Sequence, residues 1–294
     1  MELNEQTSIA DIVSQEDLIQ KLERDLTVRA LPYLVASVKK AHSPIVKITS
    51  IKRDKALDKV EVKSITKEVV SRTVKSVYTI EALEDLYYTY GEDLVEVLSM
   101  HLGEEVSEEM NTDLITFLDA NATLGDDINF NPSDLKSTSD VIFNIKVKIN
   151  TEVMRIAQAN KRPLRGFAIV SPLIASAITV DGYDNIGFDK NKEIGDNQYL
   201  GTFGAIDYYV NYDHAVAIDK VYVGLVAGNT NGSLIYSPYT NMFFSTVEES
   251  SGQPRYHILN RSLLSLNPFD VGTGANDSSF LTSFNIDLTA FTDY

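Results

Sequence analysis

The chain has no cysteine, no tryptophan and only four histidines. It has no apolar run of the roughly 18–20 residues that a membrane-spanning helix needs. Without cysteine there can be no disulfide, no thiolate metal site and no cysteine nucleophile. A reducing compartment fits that composition, as it would fit any cysteine-poor protein. His42, His101, His214 and His257 are far apart and show no ligand spacing, so no metal site is expected from them. Phosphate-cradling P-loops, HExxH, GxSxG and a strand-linked GxGxxG are all absent. The N-terminal stretch MELNEQTSIADIVSQED is acidic and polar, unlike a signal or transit peptide. Positive charge is also scarce: 26 basic against 42 acidic residues give a net charge of −16. That balance argues against sequence-independent affinity for nucleic acid, which requires lysine and arginine to displace counterions.

What is present is ample material for a folded protein. The 294 residues are 44% hydrophobic and 23% charged, enough to bury a core. At about 150 residues per domain the length suggests two domains or one large one. Charge is segregated along the chain. Residues 47–75 hold nine basic side chains against four acids, a local balance of +5. Residues 81–127 hold fourteen acids and no lysine or arginine, a balance of −14. A solvated acidic helix beside a basic loop is the plain alternative. A run of −14 repels itself, however, and a +5 segment is its natural partner, in the same subunit or in a neighbouring copy.

Periodicity gives the elements. Residues 14–31 read as a helix, with Ser14 as cap, a Leu18, Leu22, Leu26 and Leu31 stripe, and Pro32 as its end or kink. Residues 45–78 alternate β-branched and charged side chains around the polar turn RDKALDK, which predicts a long basic hairpin. An isolated hairpin is only marginally stable, so this one is expected to rest on another surface. Thr79 caps a short helix that Gly91 stops. A helix over about 92–119 follows, with Leu94, Leu98, Leu102, Val106, Met110, Leu114 and Leu118 on one face. Residues 121–134 read as a loop. A helix at about 139–160, the strand 166–171 and a helix opened by Pro172 come next, and then short strands. That order predicts an α+β fold. The segment Asp189, Asn191, Glu193, Gly195 and Asp196 alternates oxygen ligands as a calcium loop does. Its glycine stands one place late and Leu200 occupies the position of the terminal glutamate, so it reads as a turn. Tyr208, Tyr209 and Tyr212 read as strand packing. The expectation is no catalytic residue, no cofactor and no metal.

Two stretches carry a resemblance. In residues 74–118, Tyr78, Thr79, Ile80, Glu81, Asp85, Leu86 and Gly91 precede a glutamate-rich helix. In residues 234–270, Tyr236, Pro238 and Tyr239 are followed by Gln253 and Pro254, then by Arg261 and by Asn267, Pro268 and Phe269. Between them lies RPLRGFAIVSPLIASAI. The three passages resemble, in order and spacing, the T4-type major capsid proteins of tailed bacteriophages. Ser262 departs from the tyrosine usual there, and the chain is shorter than typical members.

The resemblance implies the HK97-like capsid fold. Residues 1–45 would form an N-terminal arm, 46–78 an extended loop, and 79–138 a peripheral domain with a long spine helix. Residues 139–233 would form an axial domain, and 234–294 would return to the peripheral domain. It implies self-assembly into hexamers and pentamers of an icosahedral head around double-stranded DNA, which is held without sequence-specific binding. Assembly would take place in the bacterial cytoplasm, with portal, scaffold, vertex or decoration proteins as further partners and no membrane. Lys52, Arg53, Lys55, Lys59, Lys63, Lys67 and Arg72 of the loop would meet a neighbour's Glu92, Glu96, Glu104, Glu105, Glu108 and Glu109. The alternatives are an acidic α+β enzyme or ligand-binding protein, or a same-fold vertex subunit or cellular nanocompartment shell.

Overall fold

The computed structural model describes residues 15–54, 59–77, 79, 81–82, 85, 88–89, 94–128, 138–179, 199–211, 219–226, 232–247, 254–270 and 279–286. Helix α1 (Gln15–Arg29) runs into the short α2 (Leu31–Val35), which carries Pro32 in its first turn. Proline there forfeits no hydrogen bond, so the chain bends rather than stops. Strand β1 (Ser37–Val38) leads to β2 (Ile45–Asp54), β3 (Lys59–Glu68) and β4 (Val70–Val77). Helix α3 (Leu94–Asn121) is about 42 Å long at 1.5 Å per residue. After β5 (Thr123–Leu124) come α4 (Thr138–Ala159), β6 (Gly166–Val170), α5 (Pro172–Thr179), β7 (Tyr199–Phe203), β8 (Ile206–Val210) and β9 (Lys220–Leu225). The long strands β10 (Leu234–Val247) and β11 (Pro254–Leu266), then β12 (Leu281–Asn285), complete the described elements. Helices and strands are mixed as the α+β reading expects.

The strands form a four-stranded sheet ordered β1-β10-β11-β4, a six-stranded sheet ordered β5-β12-β9-β6-β8-β7, and the separate pair β2-β3. The six-stranded sheet is covered on both faces. Phe167 and Ile169 face the core shared with α1, α2 and α3, whereas Ala168 and Val170 face the core under α4 and α5. Two buried faces explain why β6 is apolar at every position instead of alternating. Tyr208 and Tyr209 are 2% and 3% exposed, each in one of these cores, which fits strand packing. Gly166 is required at the start of β6, since a Cβ there would lie 2.4 Å from a Val153 methyl of α4.

The helix stripes are buried as their period predicts. Leu102, Val106, Met110, Leu114 and Leu118 of α3 are at most 1% exposed, and Ile142, Ile145, Ile149, Val153 and Ile156 of α4 at most 2%. Thr79 caps the short helix by accepting the Ala82 N–H at 3.1 Å.

Three expectations change. The hairpin closes at Glu68, and β4 leaves it to pair antiparallel with β11 over Val70–Val77. The stretch read as a loop after α3 contributes β5, parallel to β12, and a bridge from Ile128 to Ile286. Where short strands are expected, residues 234–247 form one long strand, β10, whose register shifts between Pro238 and Thr240. Proline has no N–H for the ladder, so it sits where the pairing is interrupted.

Candidate functional site

The chemistry on this surface is electrostatic and begins with α3. Its buried stripe fixes its rotation, so Glu104, Glu105, Glu108 and Glu109 emerge on the exposed side. Glu105, Glu108, Thr112 and Asp113, with Glu109 and Val74 of β4, line an open groove of about 420 Å³. Five of its six lining groups are therefore polar and four are carboxylates. Part of the acid on α3 is neutralised within the chain. Glu104 accepts from Arg29 of α1 at 2.8 Å, with His101 3.7 Å away. Asp113 pairs with Arg72 of β4. Asp119 pairs with Lys220 and accepts the Tyr222 hydroxyl at 2.7 Å.

Arg72 belongs to a second, buried set of polar groups. Its Nη1 donates to Ser262 Oγ at 2.8 Å. Ser262 donates to Asn260 at 3.1 Å, and Asn260 donates to Asn241 at 2.6 Å. Ser262 is fully buried. The small side chain in place of tyrosine leaves room for the guanidinium to cross from β4 to β11. Beside this network, Tyr236 stacks edge-on to Tyr33 with ring centroids 4.8 Å apart. Burial pushes both phenols above their ordinary range.

The hairpin has two different faces. Val46, Ile48 and Ser50 point inward, and Val46 and Ile48 pack with Ala41, Ile235 and Leu263. Ile51, Val60 and Val62 are half or more exposed on the other face. Lys52 and Lys63 share the inward face by the alternation of the strands. Their ammonium groups lie 5.9 and 5.3 Å from the centre of the Phe269 ring. Lys67 is half-buried. Arg53 and Lys59 face Val60 and Asp54 across the two strands.

The singled-out motif residues turn out to be architectural. Arg261 lies over the Tyr239 ring at 5.2 Å and donates to Ser71 at 3.1 Å. Asn267 ends β11, donates to the Gly232 carbonyl at 2.8 Å and accepts the Phe269 N–H at 3.1 Å. Pro268 is buried after it, and Asp270 accepts from Ser279 and Phe280. This tie joins the two larger sheets. Pro254 opens β11, and Glu81 and Asp85 are exposed on the short helix. Tyr78, Gln253, Lys55, Glu92 and the oxygen-rich segment 189–196 lie outside the described residues, as does the side chain of Glu96. Sequence reasoning missed Arg162, which donates to the Ile51 carbonyl at 2.7 Å. The signal was the sequence Lys161-Arg162-Pro163 at a helix end.

Among the described residues no group of three or more His, Asp or Glu could hold a metal ion, and no described helix is long and apolar enough to cross a membrane.

Comparison with known proteins identifies this architecture. No curated protein sequence matches. Solved structures do, at low identity and over nearly the whole chain. A virus-like particle from Pyrococcus furiosus is 13% identical with a TM-score of 0.58, covering 92% of this chain and 98% of its own. A phage-related protein from Bordetella bronchiseptica is 12% identical with a TM-score of 0.55, covering 92% and 96%. The capsid of an empty GTA particle is 10% identical with a TM-score of 0.51, covering 88% and 90%. These likenesses show the HK97-like fold. The family model for the major capsid protein Gp23 matches residues 35–286. The chain thus belongs to the Gp23 major capsid proteins, self-associating structural subunits of the virion shell rather than enzymes.

Proposed function

We propose that copies of this chain form the hexamers and pentamers of an icosahedral phage head enclosing double-stranded DNA, and that the hairpin of one copy seats on the acidic α3 face of the next. One observation carries the reading: a basic hairpin that stands outside both large sheets, and a carboxylate-lined groove on α3 in the same chain. In this reading the contact between copies pairs Lys59 and Lys67 with Glu105, Glu108 and Glu109, which line the groove, and Arg72 and Glu104 are held by partners within the chain. Arg53, Lys55, Glu92 and Glu96 extend the two charged surfaces in sequence.

Exposed ion pairs contribute only about 0–1 kcal/mol each, so they set register and approach more than strength. Repetition around a closed shell multiplies that small gain. In this reading residues 1–45 are an arm, 46–78 the reaching segment, 79–138 with 234–294 the peripheral domain, and 139–233 the axial domain. The net charge of −16 keeps the shell from gripping its packaged DNA. Assembly takes place in the bacterial cytoplasm, with portal, scaffold, vertex or decoration proteins completing the head.

Charge reversal tests the contact. Lys59→Glu with Lys67→Glu is expected to stop shells forming, as seen by negative-stain electron microscopy after size-exclusion chromatography. Adding Glu105→Lys, Glu108→Lys and Glu109→Lys to the same chain is expected to restore assembly in part. Normal shells from the first variant would contradict the proposed contact.

A further inference from the structure

The hairpin is held in place by its own subunit, at a point well beyond its apolar base. Helix α4 ends in a turn where Lys161 has φ of 51°. The Lys161 N–H bonds the Gln158 carbonyl at 3.1 Å and the Arg162 N–H bonds the Ala157 carbonyl at 2.9 Å. This pair of bonds is the helix-terminating arrangement in which one residue turns left-handed, and Pro163 after it prevents continuation. The turn aims Arg162 at the hairpin, where its Nη2 takes the Ile51 carbonyl at 2.7 Å. The Asn267 turn presents the half-buried Phe269 ring to Lys52 and Lys63. Lys52 and Lys63 lie on different strands, diagonal to one another, so one ring engages both strands at once.

We propose that Phe269 and Arg162 are positioning residues for assembly: together they form a cradle that sets the height and tilt of the hairpin before it meets a neighbouring copy. The proposal rests on the reading that the hairpin is the reaching element. A long two-stranded ribbon without a cradle samples many directions, and ordering it on contact costs conformational entropy. A cradled ribbon arrives already ordered. Lys52 and Lys63 then act inside their own subunit. The cradle also gives the Asn-Pro-Phe passage a role that its buried neighbours alone would not require, since Phe269 is only half-buried.

The test separates the aromatic face from mere bulk. Phe269→Leu keeps an apolar side chain but removes the ring, and Phe269→Trp keeps a ring for the two ammonium groups. Each cation–π contact at such a site shifts an equilibrium about twofold to fivefold. In the unassembled chain, Phe269→Leu is expected to speed amide hydrogen exchange across 45–68 about tenfold, with exchange elsewhere unchanged. Phe269→Trp is expected to restore protection, and Arg162→Ala to loosen the same segment. Shells should form more slowly from Phe269→Leu and at the normal rate from Phe269→Trp.

Unchanged exchange in Phe269→Leu would overturn the cradle. Faster exchange with normal assembly would overturn its positioning role. If Phe269→Leu loosens the hairpin and slows assembly while reversal of Lys59 and Lys67 leaves shells intact, the cradle stands and the charge contact fails.

Discussion

Strands β2 and β3 and strand β4 have the same kind of sequence and opposite fates. All alternate β-branched residues with polar or basic ones, and all fall within the basic stretch 45–77. Yet β2 and β3 pair only with each other, and β4 is built into the four-stranded sheet along β11. The difference lies in what each offers the core. Val74 of β4 packs on the main core and Arg72 crosses to Ser262 and Asp113. The hairpin buries Val46 and Ile48 at its base, and further out presents Ile51, Val60 and Val62 to the outside. Alternation therefore says that a segment is a strand, and the partners of its inward side chains decide which sheet it joins. One segment stabilises the subunit, and the other is left over for contact with something else.

The largest effect that separates them comes from shortening the hairpin. Removing residues 52–61 and closing the strands with a short turn is expected to abolish shell formation. The melting temperature should stay near that of the parent chain, because the base at Val46 and Ile48 remains. Collapse of the fold would show that the outer hairpin is part of the core.

Changes at β4 should do the reverse. Ser262→Tyr forces a large ring into a fully buried site under Arg72, and is expected to cost about 1–3 kcal/mol in chemical denaturation. Equal stability would mean that the local backbone yields to the larger side chain. Arg72→Ala removes an ion pair and a hydrogen bond whose partners are only partly solvated. It is expected to cost about 1–2 kcal/mol by the same measurement. No loss would remove the energetic distinction between β4 and the hairpin.

The smallest effect is a control outside both regions. On α4, burial raises the Glu152 pKa, but hydrogen bonds from Arg155 and Lys148 outweigh it and hold the carboxyl below its ordinary value. A depressed carboxylate stabilises the fold above the unfolded value of about 4.3, and the gain fades as pH falls through the lower folded value. Glu152→Gln is expected to flatten the fall in melting temperature between about pH 5 and pH 3. Identical slopes would show that the pairs with Lys148 and Arg155 contribute nothing.

Much of this was legible in the residues. The four-residue spacing in α3 and α4 fixed which faces are buried, and the charge segregation marked α3 and the hairpin. The passages around Tyr236 and Asn267 pointed to the family. Other features had no local signal. The pairing of β4 with β11 joins residues about 190 positions apart in register, as Arg72 and Asn260 show. Arg29 and Glu104 meet through the packing of α1 on α3, which no charge count reveals. Arg162 and Phe269 look unremarkable in sequence, because their role depends on where two turns converge beside the hairpin.

The most direct measurement is a cryo-electron microscopy map of the assembled shell. Density for residues 45–68 is expected across the α3 helix of an adjacent copy, with Lys59 and Lys67 within ion-pair reach of Glu105, Glu108 or Glu109. A hairpin whose outer half touches only its own subunit would contradict it.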